Sequence, residues 1–208
     1  MPILEPRPIT SRSLFDLPEG STRAVRIGSG HSDWYQYAAG YKLAADRLVY
    51  GLRDHGPHTD FVCIPILFLY RHYVELYLKA LLLDLGELLD SPSQVPDRHP
   101  LLPLWRSVRR HLTEMDRGNE SAWNDRAENL IQELDSLDPG SFTFRYPTDL
   151  TGKPTLMPAR EIDIGHFRDV IAELHHVLGG ADSYVTQHLQ LKRDYEQDFD
   201  DPGLYYSY

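Results

Sequence analysis

The sequence predicts an all-α fold, an up-and-down bundle of about five helices with a small inserted β-hairpin. Three observations carry this expectation. Residues 61–83, FVCIPILFLYRHYVELYLKALLL, are apolar almost all round, as befits a helix at the centre of a bundle. Several flanking segments repeat apolar residues at spacings of three and four. Period-two alternation, the mark of a half-buried strand, is convincing only at SFTFRYP, residues 141–147.

Taken in order, residues 1–31 carry Pro2, Pro6, Pro8 and Pro18 with Gly20, Gly28 and Gly30, and show no sustained periodicity. They read as an irregular arm, with a short strand over 22–27. A helical domain is expected over 32–193. Ser32 is placed to cap a first helix over 33–53, with Trp34, Tyr37, Ala38, Tyr41, Ala45, Leu48, Val49 and Leu52 as its stripe. Gly56-Pro57 ends it, and Thr59 or Asp60 opens the central helix, which Pro65 kinks near its start. After a loop with Pro92 and Pro96, a third helix is expected over 101–115, striped by Leu101, Leu104, Trp105, Val108, Leu112 and Met115. A fourth follows over 120–137, ended by Asp138-Pro139-Gly140. In the strand segment Phe142, Phe144 and Tyr146 alternate with Thr143 and Arg145, and the turn-rich 149–154 folds it back onto 155–157. Asp163 caps a long fifth helix that Gly179-Gly180 is expected to bend or break. Residues 194–208 form an acidic, tyrosine-rich tail.

Composition narrows the function classes. The formal net charge of −10 disfavours non-specific coating of nucleic acid, and half of it sits in Asp194, Glu196, Asp198, Asp200 and Asp201. No basic segment followed by an apolar run marks a signal peptide. Ionisable residues in the middle of the apolar stretch argue against a membrane span. The single cysteine, Cys63, excludes an internal disulfide and fits a reducing cytoplasm. P-loop, GxGxxG and GxSxG motifs are absent from the sequence.

The chemistry-bearing residues concentrate in the central helix. At about 100° per residue Arg71, His72, Glu75 and Lys79 fall within roughly 100° of one another, on one side. Glu75 stands at i,i+4 to both Arg71 and Lys79, so one carboxylate can bridge two cations, with His72 also in reach. Such a set suits catalysis, with an arginine for an anion, a histidine for proton transfer and a carboxylate to orient them. It equally suits a buried ion network that fixes how the helices pack, or an exposed dimer face. Arg145 is a secondary candidate on the strand. The third helix gathers the best nucleic-acid patch of the chain, with Arg98, Arg106, Arg109 and Arg110 beside His99 and His111. The bland reading is a solvated helix face, and His99, just before Pro100, suits a capping role. Metal leads are weak. Asp54, His55, His58 and Asp60 share a loop without a recognised ligand spacing, and the adjacent His175 and His176 diverge on a helix, so neither metal nor cofactor is expected.

The combination FLYRHYVELYLKALL, HPLLPLW and SFTFRYPTDLTGKP resembles a group of small bacterial proteins distantly similar to the HEPN superfamily, over residues 34–180. The resemblance implies an all-helical dimeric domain of the kind found in toxins and antiviral defence systems. Many members are metal-independent ribonucleases with an arginine and a histidine separated by four to six residues and joined across a dimer interface. Arg106 and His111 have that spacing here, as do Arg26–His31, Arg53–His58, Arg160–His166 and Arg168–His175. On a continuous helix, five positions set Arg106 and His111 roughly 140° apart. The resemblance thus implies a cytoplasmic homodimer with an RNA-related role. Arg71 or Arg106 would face the phosphate, His72 or His111 would move the proton, and Glu75 would orient it. The competing expectation is a non-catalytic module whose tail, with Tyr195, Phe199, Tyr205, Tyr206 and Tyr208, docks a protein partner and folds on binding.

Overall fold

A computed structural model describes residues 19–22, 24–25, 33–52, 59–91, 99–115, 122–156 and 161–200. The chain divides into two compact units, Met1–Ser32 and Asp33–Tyr208. In the first, Glu19 and Gly20 form a turn, and the strand expected over 22–27 falls largely outside the described residues.

The second unit holds five helices among its described residues: α1 (Trp34–Gly51), α2 (Thr59–Leu88), α3 (Leu101–Met115), α4 (Ala122–Leu137) and α5 (Ile164–Asp200). The start of α1 is capped by Asp33, whose carboxylate accepts from the Tyr35 amide at 2.9 Å. Ser32, the expected cap, lies outside the described residues. Asp163 does cap α5, accepting from the His166 amide at 2.9 Å.

Around α2 pack α1, α3 and α5, and α4 closes against α3 and α5. The buried faces supply one continuous core, which includes Tyr70, Tyr73, Leu78, Leu81, Trp105, Ile131, Leu174 and Val185. By length and composition α2 could cross a membrane, yet here it is the spine of the bundle. Its C-terminus is closed by a lysine from another helix, since Lys192 of α5 donates to the carbonyls of Glu87 and Leu88 at 2.9 and 3.3 Å. A cation at that end satisfies orphan carbonyls and opposes the helix dipole.

Three expectations need correction. First, the helices do not alternate strictly up and down. Tyr73 reaches His175, Tyr77 reaches Asp182 and Glu87 reaches Arg193, so α2 and α5 run parallel. Contacts of Leu101 with Asp135 and of Arg109 with Asp125 make α3 and α4 antiparallel, and α4 opposes α5 in the same way through Arg126 and Glu173. The alternation therefore breaks between α2 and α3, which run parallel.

Second, 142–146 is a set of turns and not a strand. The Asp138 carboxylate captures the amides of Phe142 and Thr143 at 2.6 and 2.8 Å, and Arg145 and Tyr146 both donate back to the Phe142 carbonyl. Ser141 takes a left-handed φ of 56° to permit this. What survives of the hairpin is one antiparallel bridge, Thr148 to Pro154, around a turn organised by Asp149. Third, α5 continues through Gly179-Gly180. Leu178, Ala181 and Val185 are buried on either side, and a Cβ on Gly179 would lie 4.0 Å from the Tyr77 hydroxyl. Packing on α2 holds a helix that propensity alone would weaken.

Candidate functional site

Of the four residues that the sequence places on one side of α2, three meet. Glu75 Oε2 accepts from Arg71 Nη1 at 2.9 Å, and Oε1 accepts from Lys79 Nζ at 2.9 Å. All three are buried, and Arg71 has no exposed surface at all. Burying such charges is tolerable only when donors and acceptors are matched. Arg71 and Glu75 are well matched, although the buried Asp138 Oδ2 beside them makes no hydrogen bond. Arg71 Nε donates to the Asp138 carbonyl at 2.9 Å and Nη2 to the His99 carbonyl at 2.8 Å. The carboxylate of Asp138 stands 3.5 Å from Nε, and that of Asp135 lies 4.0 Å from Nη2. One guanidinium thus ties α2 to the chain entering α3 and to the end of α4.

His72 is not part of this cluster. Its ring stacks on Phe68 at 5.6 Å with an interplanar angle of 9°, and Tyr41 of α1 meets it edge-on at 4.5 Å. Burial in this aromatic slot pushes its pKa down, against a smaller opposing pull from Glu75. The imidazole that reaches Glu75 belongs to His99, with Nδ1 2.9 Å from Oε1. The capping role considered for His99 falls instead to Asp135, whose carboxylate accepts from the amides of Leu101 and Leu102 at 2.7 and 3.4 Å.

Burial works to raise the Glu75 pKa, but donation from Lys79, His99 and Arg71 outweighs it, and the carboxyl is held below its usual range. An ionised Glu75 can only accept, so His99 Nδ1 carries the proton and Nε2 keeps its lone pair while the ring is neutral. The His99 side chain is 50% exposed, the most open member of the cluster by a wide margin. A carboxylate fixing one imidazole nitrogen and leaving the other for an outside partner is the arrangement of a positioned acid–base group.

The remaining candidates lie elsewhere. Arg106 and Arg109 of α3 both pair with Glu128 of α4, and Arg109 also reaches Asp125. His111 approaches Glu114 at 3.3 Å, one turn on, so Arg106 and His111 find separate partners. Arg110 is exposed, and Arg98 lies outside the described residues. Arg145 is exposed, bonds to the Ser141 carbonyl and lies 5.9 Å from the Tyr146 ring. Among the other spaced pairs, Arg168 bonds Asp169 and covers the Tyr50 ring at 4.9 Å, while His175 Nδ1 bonds Tyr73 at 2.8 Å. Arg26, His31, Arg53, His58 and Arg160 are outside the described residues, as are Asp54, His55, Tyr205, Tyr206 and Tyr208. Among the described residues no three His, Cys, Asp or Glu side chains are arranged to hold a metal ion.

Asp135, Asp138 and the ring of His99 were not assigned to the cluster from sequence. In the sequence Asp138 reads as part of a turn signal, and only tertiary packing brings it and Asp135 to Arg71. Comparison with known proteins gave no matching family model, no matching curated protein and no matching solved structure.

Proposed function

We propose that this chain is a HEPN-like helical domain with an RNA-related role, and that its chemistry is metal-independent RNA cleavage centred on His99. The observation that carries the reading is the half-exposed imidazole held by the buried carboxylate, His99 Nδ1 to Glu75 Oε1 at 2.9 Å. In this reading Nε2 takes the proton of a ribose 2′-hydroxyl. The 2′-oxygen attacks the adjacent phosphorus, the P–O5′ bond breaks, and the leaving oxygen recovers a proton from the imidazolium. The products are a 2′,3′-cyclic phosphate and a 5′-hydroxyl. Arg71, sealed from solvent, is a positioning residue that holds Glu75 rather than a phosphate contact, and Lys79 donates to the same Glu75 oxygen as the imidazole. His72 and His111, bonded or stacked elsewhere, take no part. The working form is a cytoplasmic homodimer in a toxin or defence setting.

The test is digestion of single-stranded and structured RNA in excess chelator. The wild-type chain should yield cyclic-phosphate ends, and His99→Ala should lose at least the roughly 100-fold typical of a general base while keeping its circular dichroism. Equal cleavage by His99→Ala would remove His99 from the chemistry. Absence of turnover on every RNA would leave the second reading, an interaction module. One observation favours that alternative: α5 runs on to Asp200 and shows Leu191 and Tyr195 to solvent, Tyr195 at 67%, one turn apart on one face. Removal of 194–208 should then abolish capture of a protein partner without affecting the bundle.

A further inference from the structure

The seam between α4 and α5 is closed at one end and open at the other. Arg126 and Glu173 bridge it at 3.1 Å near the start of α4. Toward the end of α4 it widens into a cavity of about 470 Å³, within the usual range for small-molecule sites. Its walls are apolar, with Leu134 and Leu137 of α4 facing Phe167, Val170 and Ile171 of α5. Among the described residues, its carboxylates outnumber any cationic side chain, with Ser136 and His166 as the other polar groups. Glu133 and Glu161 are exposed at the rim, Asp163 and His166 stand beside them, and no lysine or arginine appears among the described lining residues. Asp163 is already engaged at the start of α5, so the two glutamates supply the available charge.

We infer that this cavity binds a small amphiphilic cation, an ammonium group on an aliphatic or aromatic body. Ligand size follows from the volume, and a ligand that fills it buries its apolar body against leucine, valine and phenylalanine. The sign follows from the rim, where the ammonium sits between Glu133 and Glu161 and remains in contact with water. Neither carboxylate belongs to the Glu75–His99 pair, so the site stands whether or not the chain cleaves RNA.

The probe is decyltrimethylammonium, titrated calorimetrically into the full chain below its micellar concentration, with decanoate and decanol as the anionic and neutral counterparts. One saturable site per chain is expected for the cation. Decanoate should bind roughly tenfold or more weakly, and decanol in between, as two solvent-exposed ion pairs would dictate. Glu133→Gln with Glu161→Gln should bring cation and neutral probe to the same affinity. Both glutamates are exposed, so this variant folds and decides the matter of charge. Val170→Trp, which fills the cavity, should abolish binding of all three probes. Equal affinity for the three probes in the wild-type chain would overturn the proposal. So would unsaturable uptake, binding of an adventitious additive only, or an unchanged charge preference in the double glutamine variant.

Discussion

Replacing Arg71 with leucine is the sharpest perturbation of the central cluster. Leucine keeps much of the apolar stem, so the loss is mainly electrostatic. Three hydrogen bonds of 2.8 to 2.9 Å disappear, to Glu75 Oε2, the Asp138 carbonyl and the His99 carbonyl. Glu75 keeps Lys79 and His99, but the buried Asp138 carboxylate loses the cation 3.5 Å away. Removing one partner of a buried ion pair typically costs about 3–5 kcal/mol, a large share of the roughly 5–15 kcal/mol available to a domain. For a chain of this size the melting temperature should fall by about 2–4 °C per kcal/mol. Urea unfolding followed at 222 nm measures the loss, with an unchanged slope showing that two-state behaviour persists. Arg71→Lys should recover less than half, because one ammonium cannot reproduce a planar fork spanning three acceptors. A loss under about 1 kcal/mol for Arg71→Leu would refute the reasoning, since exposed pairs are worth that little.

Other predictions follow from the same contacts. Burial holds the His72 pKa below the ordinary imidazole value in the folded chain. Protonation therefore favours the unfolded state, and stability that is full above about pH 6.5 declines as pH falls through the window beneath it. His72→Phe should flatten that decline in thermal melts between pH 7 and 5, and an unaltered slope would count against the aromatic slot. Glu75, with its pKa lowered, contributes stability present above its unfolded value and lost as acid titrates it in the fold. Glu75→Gln should accordingly be least stable relative to wild type near neutrality, with the gap closing as acid protonates the carboxyl in the fold. Asp135→Ala should cost about 1 to 2 kcal/mol through loss of the α3 cap, read by denaturant unfolding, with a neutral effect contradicting the assignment.

Most of the fold is legible from local pattern. The stripe Leu101, Leu104, Trp105, Val108, Leu112 and Met115 marks a helix whose observed bounds match the expected ones, with all of these buried except the half-buried Met115. The pairing of Glu75 with Arg71 and Lys79 is likewise local, one helical turn in each direction. What pattern cannot supply is which neighbour fills the remaining angle. His72 lies close to Lys79 in projection, but Tyr41 of α1 and Phe68 claim its ring. The other partner of the carboxylate is His99, 24 residues on in sequence and brought there by tertiary packing. The strand at 142–146 failed for a related reason. Alternation of Phe142, Phe144 and Tyr146 satisfies the period-two pattern, yet the buried Asp138 carboxylate takes two of the amides that a ladder would need.

The sealed ionic cluster has a direct spectroscopic signature in the side-chain Nε–H of Arg71. It is buried and donates to the Asp138 carbonyl at 2.9 Å. In ¹⁵N-resolved spectra, assigned with Arg71→Lys, its exchange with water should be slower by about two orders of magnitude than that of exposed Arg110, because opening requires at least local unfolding. Exchange at the rate of Arg110 would mean that the cluster is open to solvent, and the account built on it would fail.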